Sequence, residues 1–176
     1  HDESLYAERA IRAGAAGYQT AAFVSSIVLD RVTGLDQGFD TYNVPESGAA
    51  VTMVHMLDRT ADRTLQHAQE WFEKRDPNKP FFLWVHFFDP HSPCEPPKEF
   101  LDQAGGNAYL GEVSFMDAAV GKLLEGDVAS HSGIGFDFNA HVYDEVDLLI
   151  QDISGETIGG DPVTKHAAQL RELLND

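Results

Sequence analysis

The sequence is short of several things, and each shortage closes off a class of function. It has one cysteine, Cys94, in 176 residues, so neither an intrachain disulfide nor a cysteine-based zinc cluster can form. That single thiol leaves the redox compartment open. No apolar run approaches the roughly 18 residues of a membrane-crossing helix, so no membrane span is expected. Basic residues are scarce: 12 Lys and Arg stand against 29 Asp and Glu, a formal net charge of -17. Nucleic acid and anionic lipid both demand a basic footprint, so neither is expected as a partner. A small anionic ligand would need a metal ion or a local cluster to reverse the field. There is no leader pattern, and the first residue is His1 rather than Met. The chain therefore reads as an excerpt, or a processed product, of something longer.

What is present is globular: 43% of residues are hydrophobic and 10% aromatic, in a length that makes one domain with a real core. Residues 3–13 read as a short helix with Leu5, Ala7, Ala10 and Ile11 on one side, ended by Gly14 and Gly17. Residues 18–26 are β-leaning, and 32–43 read as a loop. Residues 58–76 form the clearest helix, with Leu65, Ala68, Trp71 and Phe72 as its apolar stripe and Asp76-Pro77-Asn78 as its stop. Residues 81–88 are apolar almost throughout, the pattern of a strand buried on both faces. Residues 107–125 repeat Leu110, Val113, Met116, Val120 and Leu123 at helical spacing. A further strand is expected at 146–153 and a helix at 162–174. Alternating helices and apolar strands predict an α/β protein: a layered α/β/α sandwich around a mostly parallel sheet.

The 81–88 strand runs straight into Asp89-Pro90-His91-Ser92-Pro93. Two prolines restrict this backbone, so an imidazole is presented at little entropic cost. In layered α/β sheets, ligands sit beyond the carboxyl ends of strands, which is where His91 falls. An imidazole there can give a proton to a leaving group or hold an anionic oxygen. The plainer alternative is a turn in which His91 bonds only backbone. His86 lies within the strand, on the face with Phe82, Trp84 and Phe88; it reads as a core histidine and is kept as a candidate substrate contact. Asp89 is read as a side-chain cap of the turn.

Three segments occur in a telling order: "AGYQTAAFVSSIVLDRVTGLDQGFDTYN", "RTADRTLQHAQEWFEKRDPNKPFFLWVHFFDPHSPCEPP" and "AYLGEVSFMDAAVGKLLE". Together they resemble the middle of the sulfatase family, within the alkaline-phosphatase-like superfamily, over roughly residues 5–125. The resemblance implies sulfuric ester hydrolysis on an α/β fold of which this chain holds an incomplete part. It gives His91, in the "PH.P" segment, the role of leaving-group acid or sulfate contact. "HVYDEVDLLI" at 141–150 resembles the family's "H..LYDE...VPLI" segment, which makes His141 a second candidate for the sulfate side. Ca2+ is the cofactor the family implies, and a small sulfate ester the substrate.

The chain also departs from that family. The C/S-x-P-x-R motif that supplies the formylglycine nucleophile does not occur in it. "SHSG" at 130–133 stands where the family has a metal-binding "SDHG" turn, with Ser130 in place of aspartate. Asp137 and Asn139 are candidate substitute metal ligands by chemical type alone, in a stretch that reads as a solvated loop. Residues 1–126 are thus expected to be a sulfatase-like core segment and 127–176 a divergent continuation of the same domain, made of a shortened loop, a strand and a helix. Three readings follow: a piece of a sulfatase, a phosphoryl-transfer relative on the same scaffold, or a catalytically inactive binding or structural module. A sheet lacking some strands exposes edges, so self-association is also expected.

Overall fold

The computed structural model describes residues 4–45, 58–124, 134–140 and 146–152, with Ser4 and the last two stretches described as backbone. Five strands form one sheet: β1 (Gln19–Val24), β2 (Thr41–Asn43), β3 (Phe81–Phe87), β4 (Ile134–Ala140) and β5 (Val146–Asp152). Their spatial order is β2-β1-β3-β5-β4. β1 runs parallel to both its neighbours, β2 and β3. β5 is antiparallel to β3 and to β4. The expected α/β class holds, and the sheet is mixed: a parallel half is extended by an antiparallel hairpin. β5 falls where a strand was expected. β4 occupies part of the stretch that read as a loop, because Phe136 and Phe138 alternate with polar residues, a strand period that the glycines around them obscure.

β3 explains the architecture. All seven of its residues are buried, and successive side chains of a strand point to opposite faces. Phe81, Leu83, Val85 and Phe87 pack with Leu65, Ala68 and Phe72 of α2 (Ala61–Lys74) and with Met116, Val120 and Leu123 of a second helix on that face. Phe82 and Trp84 pack on the opposite face with Tyr6 and Ala10 of α1 (Ser4–Ala15). A strand buried on both sides must be apolar throughout, as this one reads. Each large side chain so buried contributes about 1.5–3 kcal/mol. The three layers, helix, sheet and helix, follow directly.

α1 corrects the expected stripe. Leu5 and Ile11 are 46% and 50% exposed, while Tyr6 and Ala10 are buried. Tyr6 stacks on Trp84 with ring centroids 4.7 Å apart. The aromatic pair, rather than the two aliphatic residues, decides which face turns inward. α2 ends where Arg75 lays its guanidinium over the Phe72 ring, 3.6 Å from the centroid, and donates to the Phe72 carbonyl. A short helix that the sequence did not announce, α3 (Lys98–Gln103), precedes α4 (Ala108–Leu123). The Asn107 side chain caps α4 by accepting from the Leu110 amide at 3.1 Å. Val113, Met116, Val120 and Leu123 are buried as spaced, whereas Leu110 is half-exposed.

The loop at 32–43 is less open than it reads. It opens on the end of a 3-10 turn (Arg31–Thr33), closes on β2, and is tied down from β1. The Thr20 hydroxyl donates to the Gly38 carbonyl at 2.8 Å and accepts from the Asp40 amide at 2.9 Å. The Asp40 carboxylate accepts in turn from the Thr20 amide at 3.0 Å. Residues 162–174, where a helix was expected, lie outside the described residues.

Candidate functional site

β1 and β3 run parallel, so their carboxyl ends open on the same side of the sheet. The Ser25 amide donates to the His86 carbonyl at 3.1 Å, and the Arg59 amide to the Ser25 carbonyl at 2.7 Å. The exit of β1, the start of α2 and the exit of β3 therefore meet. A cleft of about 210 Å³ lies there, lined by Asp58, Arg59 and Thr60 before α2, by Phe88, Asp89, His91, Pro93 and Glu95 after β3, and by Glu112 and Phe115 of α4. Such crevices beyond strand ends are where open α/β sheets take ligands.

His91 is held in three ways. Its amide donates to the Phe88 carbonyl at 2.8 Å. Its ring stacks on Phe88, centroids 4.3 Å apart. Its Nδ1 lies 2.7 Å from the Ser92 carbonyl. A carbonyl only accepts, so Nδ1 carries the proton and Nε2 is the nitrogen left for other chemistry. The neutral ring accepts a hydrogen bond at Nε2, and the imidazolium donates one there. The peptide bonds Asp89-Pro90 and Ser92-Pro93 on either side are both cis.

Two carboxylates border this loop, and sequence reading missed the role of both. Asp89 does not cap its own turn alone: its carboxylate also accepts from the amide of Ala61, the first residue of α2. Burial, reinforced by the charge of Glu112, pushes Asp89 up to about 7. Glu112 is 5% exposed. Its Oε1 accepts from the Glu95 amide at 2.6 Å, and the Cys94 thiol also hydrogen-bonds to it. Burial pushes Glu112 up as well, against those bonds and the nearby His91. The second oxygens, Asp89 Oδ2 and Glu112 Oε2, are buried without a hydrogen-bond partner. α4 comes this close because position 111 is glycine: a Cβ there would sit 2.8 Å from Cγ of Pro96. The only available signal was Glu112 itself, an acid one residue before Val113 on an otherwise apolar stripe.

Arg59 brings positive charge to the cleft but spends it on the sheet. Its guanidinium donates to Val24 O, Asn43 O and Asn43 Oδ1, the last residues of β1 and β2. Burial lowers it to about 10, so it stays charged at neutral pH.

His86 is 2% exposed, edge-on to Trp84, and is not among the residues lining the cleft; its place is that of a core histidine. Phe88 leaves the strand and serves as the platform for His91 instead of continuing the His86 face. Asp137 and Asn139 stand two apart on β4, in register with Leu149 and Asp147 of β5. Asp147 is in turn opposite His86. His141 and the 130–133 turn lie outside the described residues. Among the described residues, no group of three or more His, Cys, Asp or Glu converges to hold a metal. Asp89 and Glu112 each give one oxygen to a backbone amide, and no third ligand joins them, so the described residues do not by themselves make up a calcium site.

No helix among the described residues is long and apolar enough to cross a membrane. Comparison with known proteins agrees with the segment order read above. The family model described as Sulfatase matches residues 13–126. An arylsulfatase of Clostridium perfringens (strain 13 / Type A) is 52% identical over 33 residues, a stretch that is 19% of this chain and 7% of that protein.

Proposed function

This chain belongs to the sulfatase family, and from that premise we propose that it forms the leaving-group side of a sulfate-ester hydrolase site. As imidazolium, His91 gives its Nε2 proton to the ester oxygen. That oxygen keeps the electron pair of the breaking S–O bond and departs as a neutral alcohol, while sulfur forms its new bond to a nucleophile from outside these 176 residues and, over the whole hydrolysis, to the oxygen of water. Alternatively within the same reading, the Nε2–H holds a sulfate oxygen through the step. The substrate is a small sulfate ester. His141 and His86 remain candidate substrate contacts, and Asp137 and Asn139 candidate metal ligands. Calcium enters through the family alone, and no step is routed through it.

The observation that supports this reading is the tether of His91 Nδ1 to Ser92, which leaves Nε2 as the free ring nitrogen of a residue lining a cleft beyond a parallel strand. General acid assistance supplies only about 10²- to 10⁴-fold of rate. The 176 residues contain no C/S-x-P-x-R motif to supply the rest. We therefore expect this polypeptide to bind p-nitrophenyl sulfate without turning it over. Calorimetry at pH 6 should detect that binding, and His91→Ala should weaken it about 10-fold. Tighter binding of p-nitrophenyl phosphate would favour the phosphoryl-transfer relative, and no binding of either would leave an inactive module. That last reading is favoured by the missing motif and by the lack of a metal set among the described residues. Self-association belongs to the same proposal: β2 is a three-residue strand at one edge of the sheet, and Val32 is 90% exposed. Sedimentation showing only monomer at 100 µM, taken as a concentration on the order of those at which exposed edges pair, would remove it.

A further inference from the structure

We propose that a second cavity, at the opposite ends of the parallel strands from the His91 cleft, is a binding site for a neutral saccharide ring. The inference does not depend on the sulfate-ester reading, which uses none of its residues. β1 begins at Gln19 and β2, parallel to it, at Thr41. Beside these two starts, where α2 ends, lies a cavity of about 280 Å³ lined by Gln19, Asp40, Thr41, Trp71, Lys74 and Asp76, among others. That is just under the roughly 300 Å³ at which pockets begin to take drug-sized ligands, so it suits a single ring. One wall is fixed: the Gln19 side chain accepts from the Asp76 amide at 2.9 Å through Oε1 and donates to the Asp76 carbonyl at 2.9 Å through Nε2.

Three features of the lining select the ligand. The first is charge. Lys74 and Arg75 stand against Asp40 and Asp76, two of each sign, so the cavity favours neither an anion nor a cation, although the chain's net charge is -17. The second is the indole of Trp71, which is half-buried. Phe23 and Phe81 back it, with ring centroids 6.4 and 6.2 Å away, so little freedom is lost when a ligand lies against it. An indole offers a broad apolar face to the C–H face of a sugar ring. The third is the supply of open donors and acceptors. The Asp40 carboxylate uses Oδ2 on the Thr20 amide, and the Asp76 carboxylate uses Oδ1 on Asn78. Their second oxygens, the Thr41 hydroxyl and Lys74 Nζ make no hydrogen bond or ion pair among the described residues. Each sugar hydroxyl both donates and accepts, and so needs both kinds of partner. A flat aromatic ligand would use the indole and leave these polar groups unmet, and a small zwitterion would use the charges and leave the indole.

The test is NMR of the purified chain with 15N-labelled tryptophan, titrated with methyl β-glucoside, methyl β-galactoside and N-acetylglucosamine. The chain has two tryptophans, and Trp84, fully buried, serves as the internal reference. At least one of the sugars should shift the Trp71 indole N–H saturably and leave Trp84 in place. Half-saturation on the order of 1–10 mM is expected for a molecule of about a dozen heavy atoms. Lys74→Ala and Thr41→Val should each raise that concentration about 3- to 10-fold by removing one hydrogen bond, with an unmoved Trp84 signal showing that the fold is kept. Glucose 6-sulfate should bind no more tightly than the methyl glucoside. No saturable shift at Trp71 with any of the three sugars overturns the proposal, even if neither variant folds. An equal shift with benzyl alcohol or with glycine overturns it too, as does half-saturation unchanged in both variants.

Discussion

Asp89 and His91 are two residues apart and are governed by opposite requirements. His91 lines the cleft, and its Nδ1 contact to Ser92 leaves Nε2 as the free ring nitrogen. Asp89 is withdrawn from water, and withdrawal disfavours its charged form. Its ordinary value of 3.8 rises to about 7 on folding. A group raised in the folded state contributes stability in full below its unfolded value and loses that contribution as pH climbs through the folded one. Stability from Asp89 should therefore decline between about pH 4 and pH 7, by an amount on the order of 4 kcal/mol. Asp89→Asn, which can still accept from Ala61, should melt with less dependence on pH and be relatively more stable at pH 8. Melts of the two proteins from pH 4 to pH 8 check this, and parallel curves would contradict it. At this scale the place of His91, just past the end of β3, was legible in the sequence, because prolines and position advertise it. That Asp89 and Glu112 line one cleft was not, since they lie 23 positions apart and nothing local announces it.

Elements were legible where burial is uniform or strictly periodic. β3 is buried on both faces and so reads as an unbroken apolar run. α2 has one core face and so repeats at helical spacing. β2 and α3 escaped notice because three and six residues are too few to establish a period. The "GFD" segment was recognised as a motif, but its physical reason appears only in three dimensions. Gly38 has φ 84°, and a Cβ there would lie 2.4 Å from the amide nitrogen of Ile11 in α1. The glycine lets the loop press against the helix, while Thr20 and Asp40 bind it to β1. Gly38→Ala should therefore cost more than about 2 kcal/mol, since the left-handed penalty of roughly 1–2 kcal/mol is joined by a backbone collision. Gly105 also has positive φ, but nothing lies within 4 Å of a Cβ there. Gly105→Ala should cost only about 1 kcal/mol, the left-handed penalty alone. Urea unfolding of both variants separates the two terms, and equal losses would show that the close approach to Ile11 does not matter.

For the whole molecule, the net charge of -17 and an anionic ligand are reconciled locally or not at all. The cleft carries Asp58, Asp89, Glu95 and Glu112 against Arg59 and His91. A proton on Asp89 brings that balance nearer to neutrality, which makes the cleft more favourable for an anion below about pH 7 than above it. The mixed sheet could not be read in advance. Parallel order was implied by alternation of helices and strands, but the hairpin of β4 and β5 joins β3 antiparallel, a choice local sequence does not encode. The central claim is that His91 Nε2 meets the ester oxygen. Its most direct test is 15N-histidine NMR of the chain titrated with phenyl sulfate at pH 6. The account predicts a saturable shift at His91 Nε2, with little change at Nδ1 or at His86. Shifts confined to other histidines, or none at saturating ligand, would contradict it.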